Sequence, residues 1–320
     1  MKTMTLPKVI VLGGGNSPER EISLRSSQAV VRAASRAGYE VEIIDTKHGF
    51  EVLDSIDAQS VVLPMLHGIG GEDGEIQAEL EKRRLLFLGT GSKASDLAFD
   101  KWRTKQLLNS HALTTPKGAL VSRAEYAHHP LSREPHVLKA NRNGSSIGIY
   151  IVYNSSKIDK HKVDKVFEYG EQALLEELIQ GIEITVPILG NQTLPVIEII
   201  PPKGEEFDYE NKYNGETQEL CPPRHVDTAV QKRAQEVAYL AHRTLGCLHL
   251  SRTDIMIDKD NQLFVLEVNT TPGMTDQSLY PKSAKVAGLD FATVVKKFVE
   301  LAQTEKRYIG LPYFRADNRV

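Results

Sequence analysis

Short β-rich runs alternate with amphipathic helical stretches at the start of the chain. Lys8 to Leu12 is an apolar, branched run that ends in Gly13, Gly14 and Gly15. Ile22, Ser26, Ala29, Val30, Ala33 and Ala37 then recur at three- and four-residue steps, which predicts a helix with one apolar or small face. Gly38 ends it. Val41–Ile44 and Ser60–Pro64 read as second and third strands. Strands alternating with helices imply a parallel sheet covered on both faces, and this first unit spans residues 1–91.

The pattern changes beyond that point. Residues 92–179 hold a helix around Lys101, a strand at His136–Lys139, a glycine- and serine-rich turn, a strand at Gly148–Tyr153, a helical stretch and the run Leu174–Ile179. Two strands flanking a glycine turn predict a hairpin rather than a βαβ unit. Residues 180–320 carry Ile184–Leu189 and Leu194–Ile200 about a Gly190-Asn191 turn. A polar loop, Glu205–Glu216, follows with Phe207, Tyr209 and Tyr213, and such a loop suggests a task. A helix is predicted over Ala229–Leu245, then strands Leu250–Ile257 and Leu263–Asn269 around Asp258–Asn261. The expected fold class is α/β (α+β overall), an N-terminal parallel α/β unit followed by two α+β units.

The 320 residues suit several modules of about 100–150 residues each. A net charge of −3, with no basic stripe, argues against nucleic acid or an anionic membrane as the main partner. No apolar run approaches the ~20 residues of a membrane helix. The apolar run before Gly13 is too short for a signal-peptide core. Cys221 and Cys247 lack CxxC spacing and fit a reducing cytoplasm.

Candidate chemistry concentrates in Ser251–Asn269. With a two- or four-residue turn, Asp254 pairs with Val265 or Glu267, and Arg252, Asp254, Glu267 and Asn269 share one sheet face. A three-residue bulged loop would reverse that parity. Two carboxylates and an amide oxygen suit Mg²⁺ bound together with phosphate oxygens. Arg252 beside them suits a phosphoryl group or an oxyanion, and Gly273 can bring a bare backbone N–H close to a ligand. Taken alone, the same residues also describe a solvated sheet face of mixed charge.

Arg252-Thr253-Asp254, Glu267-Val268-Asn269-Thr270-Thr271-Pro272-Gly273-Met274-Thr275 and Ser278-Leu279 together resemble the D-alanine–D-alanine ligases of the ATP-grasp superfamily. The resemblance implies an ATP-grasp fold whose two α+β units clasp ATP, and the joining of two D-alanines through an acyl-phosphate for peptidoglycan precursors. It implies that Asp254, Glu267 and Asn269 hold a pair of Mg²⁺ ions, with Mn²⁺ able to substitute. Arg252 and Gly273 would steady the oxyanion, while Ser278 and Leu279 position the amino acids. Lys139 and the following turn, with Ser145 and Ser146, would cover the phosphates, assisted by Lys101 and Lys212. Glu176, Leu178 and Ile179 would meet the adenine, and Glu183 the ribose. His67, in a His-Gly-x-x-Gly-Glu-Asp-Gly run, would sit beside the substrate. Glu19 would receive the first ammonium and bond with Ser145 and Tyr213. Family members are commonly cytoplasmic homodimers. The chain departs from the family at Ala140, where proline is usual, at His249, where glycine is usual, and in the tail after Lys306.

Without the resemblance, Lys101, Glu176 and Glu183 read as surface charges and Glu19 as a favourable helix N-terminal charge. Rival functions are another ATP-grasp carboxylate–amine ligase, such as one using D-lactate or D-serine, and a nucleotide-dependent oxidoreductase. The latter is opposed by Pro18, which stands where a dinucleotide fingerprint needs its third glycine.

Overall fold

The computed structural model describes residues 6–144, 147–202 and 217–304. The first unit contains β1 (Val9–Gly13), α1 (Arg20–Arg36), β2 (Val41–Asp45), β3 (Val61–Pro64), α2 (Glu75–Lys82) and β4 (Leu86–Phe87). Its sheet is parallel, ordered β2-β1-β3-β4. Successive residues of a strand face opposite sides, so Val9 and Val11 enter one apolar cluster while Ile10 and Leu12 enter another. This explains why β1 is apolar throughout rather than alternating.

The cluster containing Val9 and Val11 is closed by α1 and by the last described helix, Phe291–Thr304, through Val294, Val295, Phe298 and Val299. The end of the chain therefore completes the core of its beginning. That helix is α9.

The second sheet is antiparallel, ordered β5-β8-β6-β7, from β5 (Gly118–Ser122), β6 (His136–Ala140), β7 (Ile149–Val152) and β8 (Gln172–Glu177). Helices α5 (Arg123–His128) and α6 (Lys160–Phe167) cover one face, packing Tyr126, Val163 and Val166 on Leu138 and Leu175. The other face carries Val137, Lys139, Ile149, Ile151 and Glu176 toward a cleft. Ala140 remains in β6 and donates its N–H to the Gly148 carbonyl at 2.8 Å, a bond proline could not make.

The third sheet is antiparallel, ordered β12-β11-β9-β13-β14, with β10 on β9. Its strands are β9 (Gly181–Leu189), β10 (Gln192–Thr193), β11 (Ile197–Ile200), β12 (Gln218–Leu220), β13 (Leu250–Asp258) and β14 (Leu263–Asn269). Behind it lie α7 (Thr228–Thr244) and residues of α3 (Ser92–Phe99) and α4 (Lys101–Ser110), such as Ala98 and Leu108. The remaining helix, α8, spans Leu279–Val286. Among the described residues, no helix is long and apolar enough to cross a membrane.

His249 has φ +62°, which accounts for the usual glycine there. Its Nδ1 accepts the Gly89 N–H at 3.0 Å and its carbonyl accepts the Gly190 N–H at 2.7 Å. The imidazole thus ties the end of the first unit to the start of β13.

Phe298→Ala should cost about 3–5 kcal/mol, because Phe298 is fully buried where the last helix meets the first sheet. The check is the loss of unfolding free energy in urea.

Candidate active site

The β13–β14 hairpin closes with the Asp258 N–H on the Gln262 carbonyl, leaving Lys259, Asp260 and Asn261 as the loop, with Asn261 at φ +59°. This is the three-residue case, and counting back from it would put Asp254 opposite Leu266. Pairing does run Ile257↔Leu263 and Ile255↔Val265, but the register shifts between Ile255 and Asp254. Beyond the shift Asp254 faces Glu267 and Arg252 faces Asn269. The irregularity restores the parity that the loop had broken. It also lets neighbouring Leu266 and Glu267 both line the cleft, while Val265 and Val268 both enter the core.

Arg252 grips Asp254 with Nε and Nη2 at 2.9 and 2.8 Å, and Thr185 donates its hydroxyl to the same carboxylate at 2.5 Å. Burial works against the Arg252 charge. The carboxylates of Asp254, and more distantly Glu267 and Glu72, outweigh it and hold the guanidinium pKa above its ordinary value. Lys101 lies 3.3 Å from Glu267 Oε2 and donates to the Asn143 carbonyl at 2.6 Å. Asn141 sets this lysine by bonding around the first turn of α4: its carbonyl accepts the Lys101 N–H and its Oδ1 the Trp102 N–H. Asn269 Oδ1 accepts the Thr271 N–H at 2.9 Å.

The donor set fits a hard divalent cation. It consists of oxygens only, on facing positions of a hairpin, each carboxylate already opposite a cation. Among the described residues no group of three or more His, Cys, Asp and Glu side chains forms a complete cage. Such a set would leave room for phosphate oxygens and water around the ion, which suits Mg²⁺.

A cleft of about 720 Å³ lies between the second and third sheets. Ile149, Ile151 and Tyr153 line it from one side, and Glu183, Met256 and Leu266 from the other. Glu183 pairs with Ile199 on one side and Met256 on the other, so these three share a face. Leu178 and Ile179 line the connection from β8 to β9. Lys139 and Glu176 also line the cleft, but Glu176 is not a surface carboxylate: it is 2% exposed. Its oxygens are bound by Lys139 at 2.5 Å and by Lys105 at 2.7 Å. Desolvation would raise the Glu176 pKa, but the two lysines overcome it and hold the carboxyl below its ordinary range.

On the opposite side of the hairpin end, His67 is buried and fully engaged. Nδ1 lies 3.1 Å from the Thr271 carbonyl and Nε2 3.2 Å from Ser26 Oγ, which accepts the Met274 N–H at 3.2 Å. The Thr271 carbonyl can only accept, so Nδ1 donates to it, and Glu72 Oε1 lies 3.5 Å from the same nitrogen. His67 thus clamps the segment around Gly273 to the first unit. Ser17 accepts the Glu19 N–H and donates to the His67 carbonyl, setting Glu19 beside the His67-Gly68 turn. A Cβ on Gly68 would lie 2.2 Å from Glu19 Oε2, and one on Gly144 3.0 Å from it. The glycines therefore let the two turns close on this carboxylate. Ser278 Oγ accepts the Thr275 N–H at 3.0 Å and would lie 2.9 Å from a Cβ on Gly273. Leu279 packs with Ile197 and Ile199 in an apolar cluster.

A small second cavity is lined by Glu72, Asn143, Gly144, Glu267 and Asn269. Ser145, Ser146, Lys212 and Tyr213 lie outside the described residues. Lys105, Thr185 and Ser26 escaped the sequence reading as partners of site residues. The only trace was the four-residue spacing of Lys101 and Lys105, which places both on one face of α4.

A parallel α/β unit beside two antiparallel units that clasp a cleft is the ATP-grasp architecture. Residues 117–300 match the family model described as D-ala D-ala ligase C-terminus. A D-alanine–D-alanine ligase of Nitrosomonas europaea is 39% identical over 306 residues, covering 94% of this chain and 99% of the relative. That of Desulforudis audaxviator is 40% identical, covering 92% and 98%. The Bacillus anthracis ligase complexed with ATP superposes with a TM-score of 0.81 at 27% identity, covering 93% of this chain and 98% of that one. The VanG D-Ala:D-Ser ligase of Enterococcus faecalis gives 0.79 at 28%, covering 93% and 100%. The fold and cleft thus define an ATP-dependent ligase of the ATP-grasp class. Within that class, the chain belongs to the D-alanine–D-alanine ligase family.

Gly68→Ala should be doubly unfavourable, since φ is +69° and the new Cβ would strike Glu19. A loss of roughly 1–3 kcal/mol in thermal or urea unfolding is expected, together with at least about tenfold lower turnover from displacement of Glu19.

Proposed function

We propose that the chain joins two D-alanines to D-alanyl-D-alanine with cleavage of ATP to ADP and phosphate. The observation that carries this reading is the single face holding Arg252, Asp254, Glu267 and Asn269, of which Asp254 and Glu267 line the cleft with Lys101 and Lys139. The first D-alanine places its ammonium on Glu19, and its carboxylate attacks the γ-phosphate to give an acyl-phosphate and ADP. Lys101 and Lys139 oppose the phosphate charge. Catalysis of such a transfer is mainly positioning and electrostatics. Asp254, Glu267 and Asn269 would hold Mg²⁺, which when bound neutralises phosphate oxygens.

The amine of the second D-alanine then attacks the acyl-phosphate carbonyl, and phosphate leaves. Arg252 and the Gly273 N–H steady the oxyanion. Two of the five Arg252 N–H donors are used on Asp254, which fixes the plane of the guanidinium and leaves other donors for the substrate. His67 acts through position, holding the Thr271–Met274 segment. Leu178, Ile179 and Glu183 would receive the nucleoside, and Ser278 and Leu279 would shape the second amino-acid site. Ser145, Ser146, Lys212 and Tyr213 take their roles from the family resemblance. By the same resemblance the enzyme works as a cytoplasmic homodimer in peptidoglycan precursor synthesis, within the three-unit division 1–91, 92–179 and 180–320.

The test is ADP and phosphate release with D-alanine against L-alanine, D-serine and D-lactate. Release with D-alanine, abolished by a chelator and restored by Mg²⁺, is expected. Preference for D-serine or D-lactate as acceptor would reassign the product, and inactivity with all of them would refute the reading.

Arg252→Ala should retain nucleotide binding but lose ligation by at least about 10²-fold. Near-normal turnover would remove Arg252 from the oxyanion role.

A further inference from the structure

Lys105 sits behind the nucleotide cleft rather than in it: it is 5% exposed, while Lys139 and Glu176 line the cleft wall. Its ammonium has an acceptor for each of its hydrogens. These are Glu176 Oε1 at 2.7 Å, Thr115 Oγ1 at 3.0 Å and the Pro116 carbonyl. Burial holds the Lys105 pKa below its ordinary value against the opposing pull of Glu176, and the three acceptors match the three donors of –NH₃⁺, where a neutral amine has only two. The other Glu176 oxygen is taken by Lys139. Along α4, Lys101 and Lys105 are four residues apart, and one reaches Glu267 while the other reaches Glu176. A single helix face thus delivers one cation to the cleft and a second to the wall behind it.

We propose that Lys105 is a positioning residue for nucleotide phosphates, balancing Glu176 so that the charge of Lys139 remains available to ATP. The proposal rests on the ATP-binding reading given above. Lys139 with Glu176 alone would be a neutral ion pair, whose field largely cancels at the distance of a phosphate. With Lys105 the buried trio carries a net positive charge, and the only member able to present it to the cleft is Lys139. Lys105 also holds the Glu176 carboxylate from the far side, which fixes the direction from which Lys139 meets it.

The test uses the full-length protein and compares affinities for ATP, ADP and adenosine by titration calorimetry. In Lys105→Met, ATP and ADP should bind about tenfold or more weakly, while adenosine should change by less than about twofold. A merely structural loss would weaken adenosine equally and would overturn the proposal, as would unchanged ATP binding. In Lys105→Met/Glu176→Gln both members behind Lys139 lose their charge, so the ratio of ATP to adenosine affinity should return to near that of the unaltered protein. This double variant avoids a lone buried charge. If Lys105→Met does not fold, Lys105→Gln, which keeps a polar end for Thr115 and the Pro116 carbonyl, takes its place with the same expected fall in ATP and ADP affinity, and unchanged ATP binding in it rejects the proposal. Failure of the unaltered protein to bind ATP would remove the ATP reading itself. Normal binding there with no response in the variants would remove only the role of Lys105.

Discussion

Charged side chains leave water only where a partner takes its place, and that constraint shapes each wall of the cleft. Asp254 is covered because Arg252 and Thr185 meet it. Glu176 is covered because two lysines reach it from opposite sides. Glu267 faces Lys101, which also donates to the backbone of the glycine-rich turn. These pairs are poor evidence for stability, since desolvation offsets much of their attraction. Their value is geometric, because they hold cations and carboxylates at defined places before a nucleotide arrives.

The same groups depend on a backbone detail. A three-residue loop would have sent the carboxylates of β13 and β14 to different partners, and the register shift at Asp254–Ile255 corrects it. Without the shift, Leu266 rather than Glu267 would face Asp254. A local irregularity in the ladder thus assembles the site, in keeping with the tendency of bulges to occur beside functional residues.

Among the described residues, the first and third units share an apolar core, and polar contacts between them reach the backbone around the site. His67 and Ser26 hold the Thr271–Met274 segment, and His249 meets Gly89. Meanwhile the last helix supplies part of the first core. The Thr271–Met274 segment is therefore anchored to the parallel α/β unit, while the cleft is shared by the two antiparallel sheets.

Much of this was legible in the residues alone. The helix over α1, the parallel strands, the β6–β7 hairpin and the long β13–β14 pair follow from local periodicity, which depends only on near neighbours in the chain. The oxygen-donor chemistry of Asp254, Glu267 and Asn269 was equally legible, because their types state what they can bind. What required the tertiary structure were the partners: Lys105 for Glu176, Ser26 for His67, Thr185 for Asp254, and the last helix for the first sheet. Apart from the sheet-packed helix, these are polar groups whose neighbours are remote in sequence. A lysine on a short helix looks the same in the chain whether it ends in water or against a buried carboxylate, and only the packing of the units decides which.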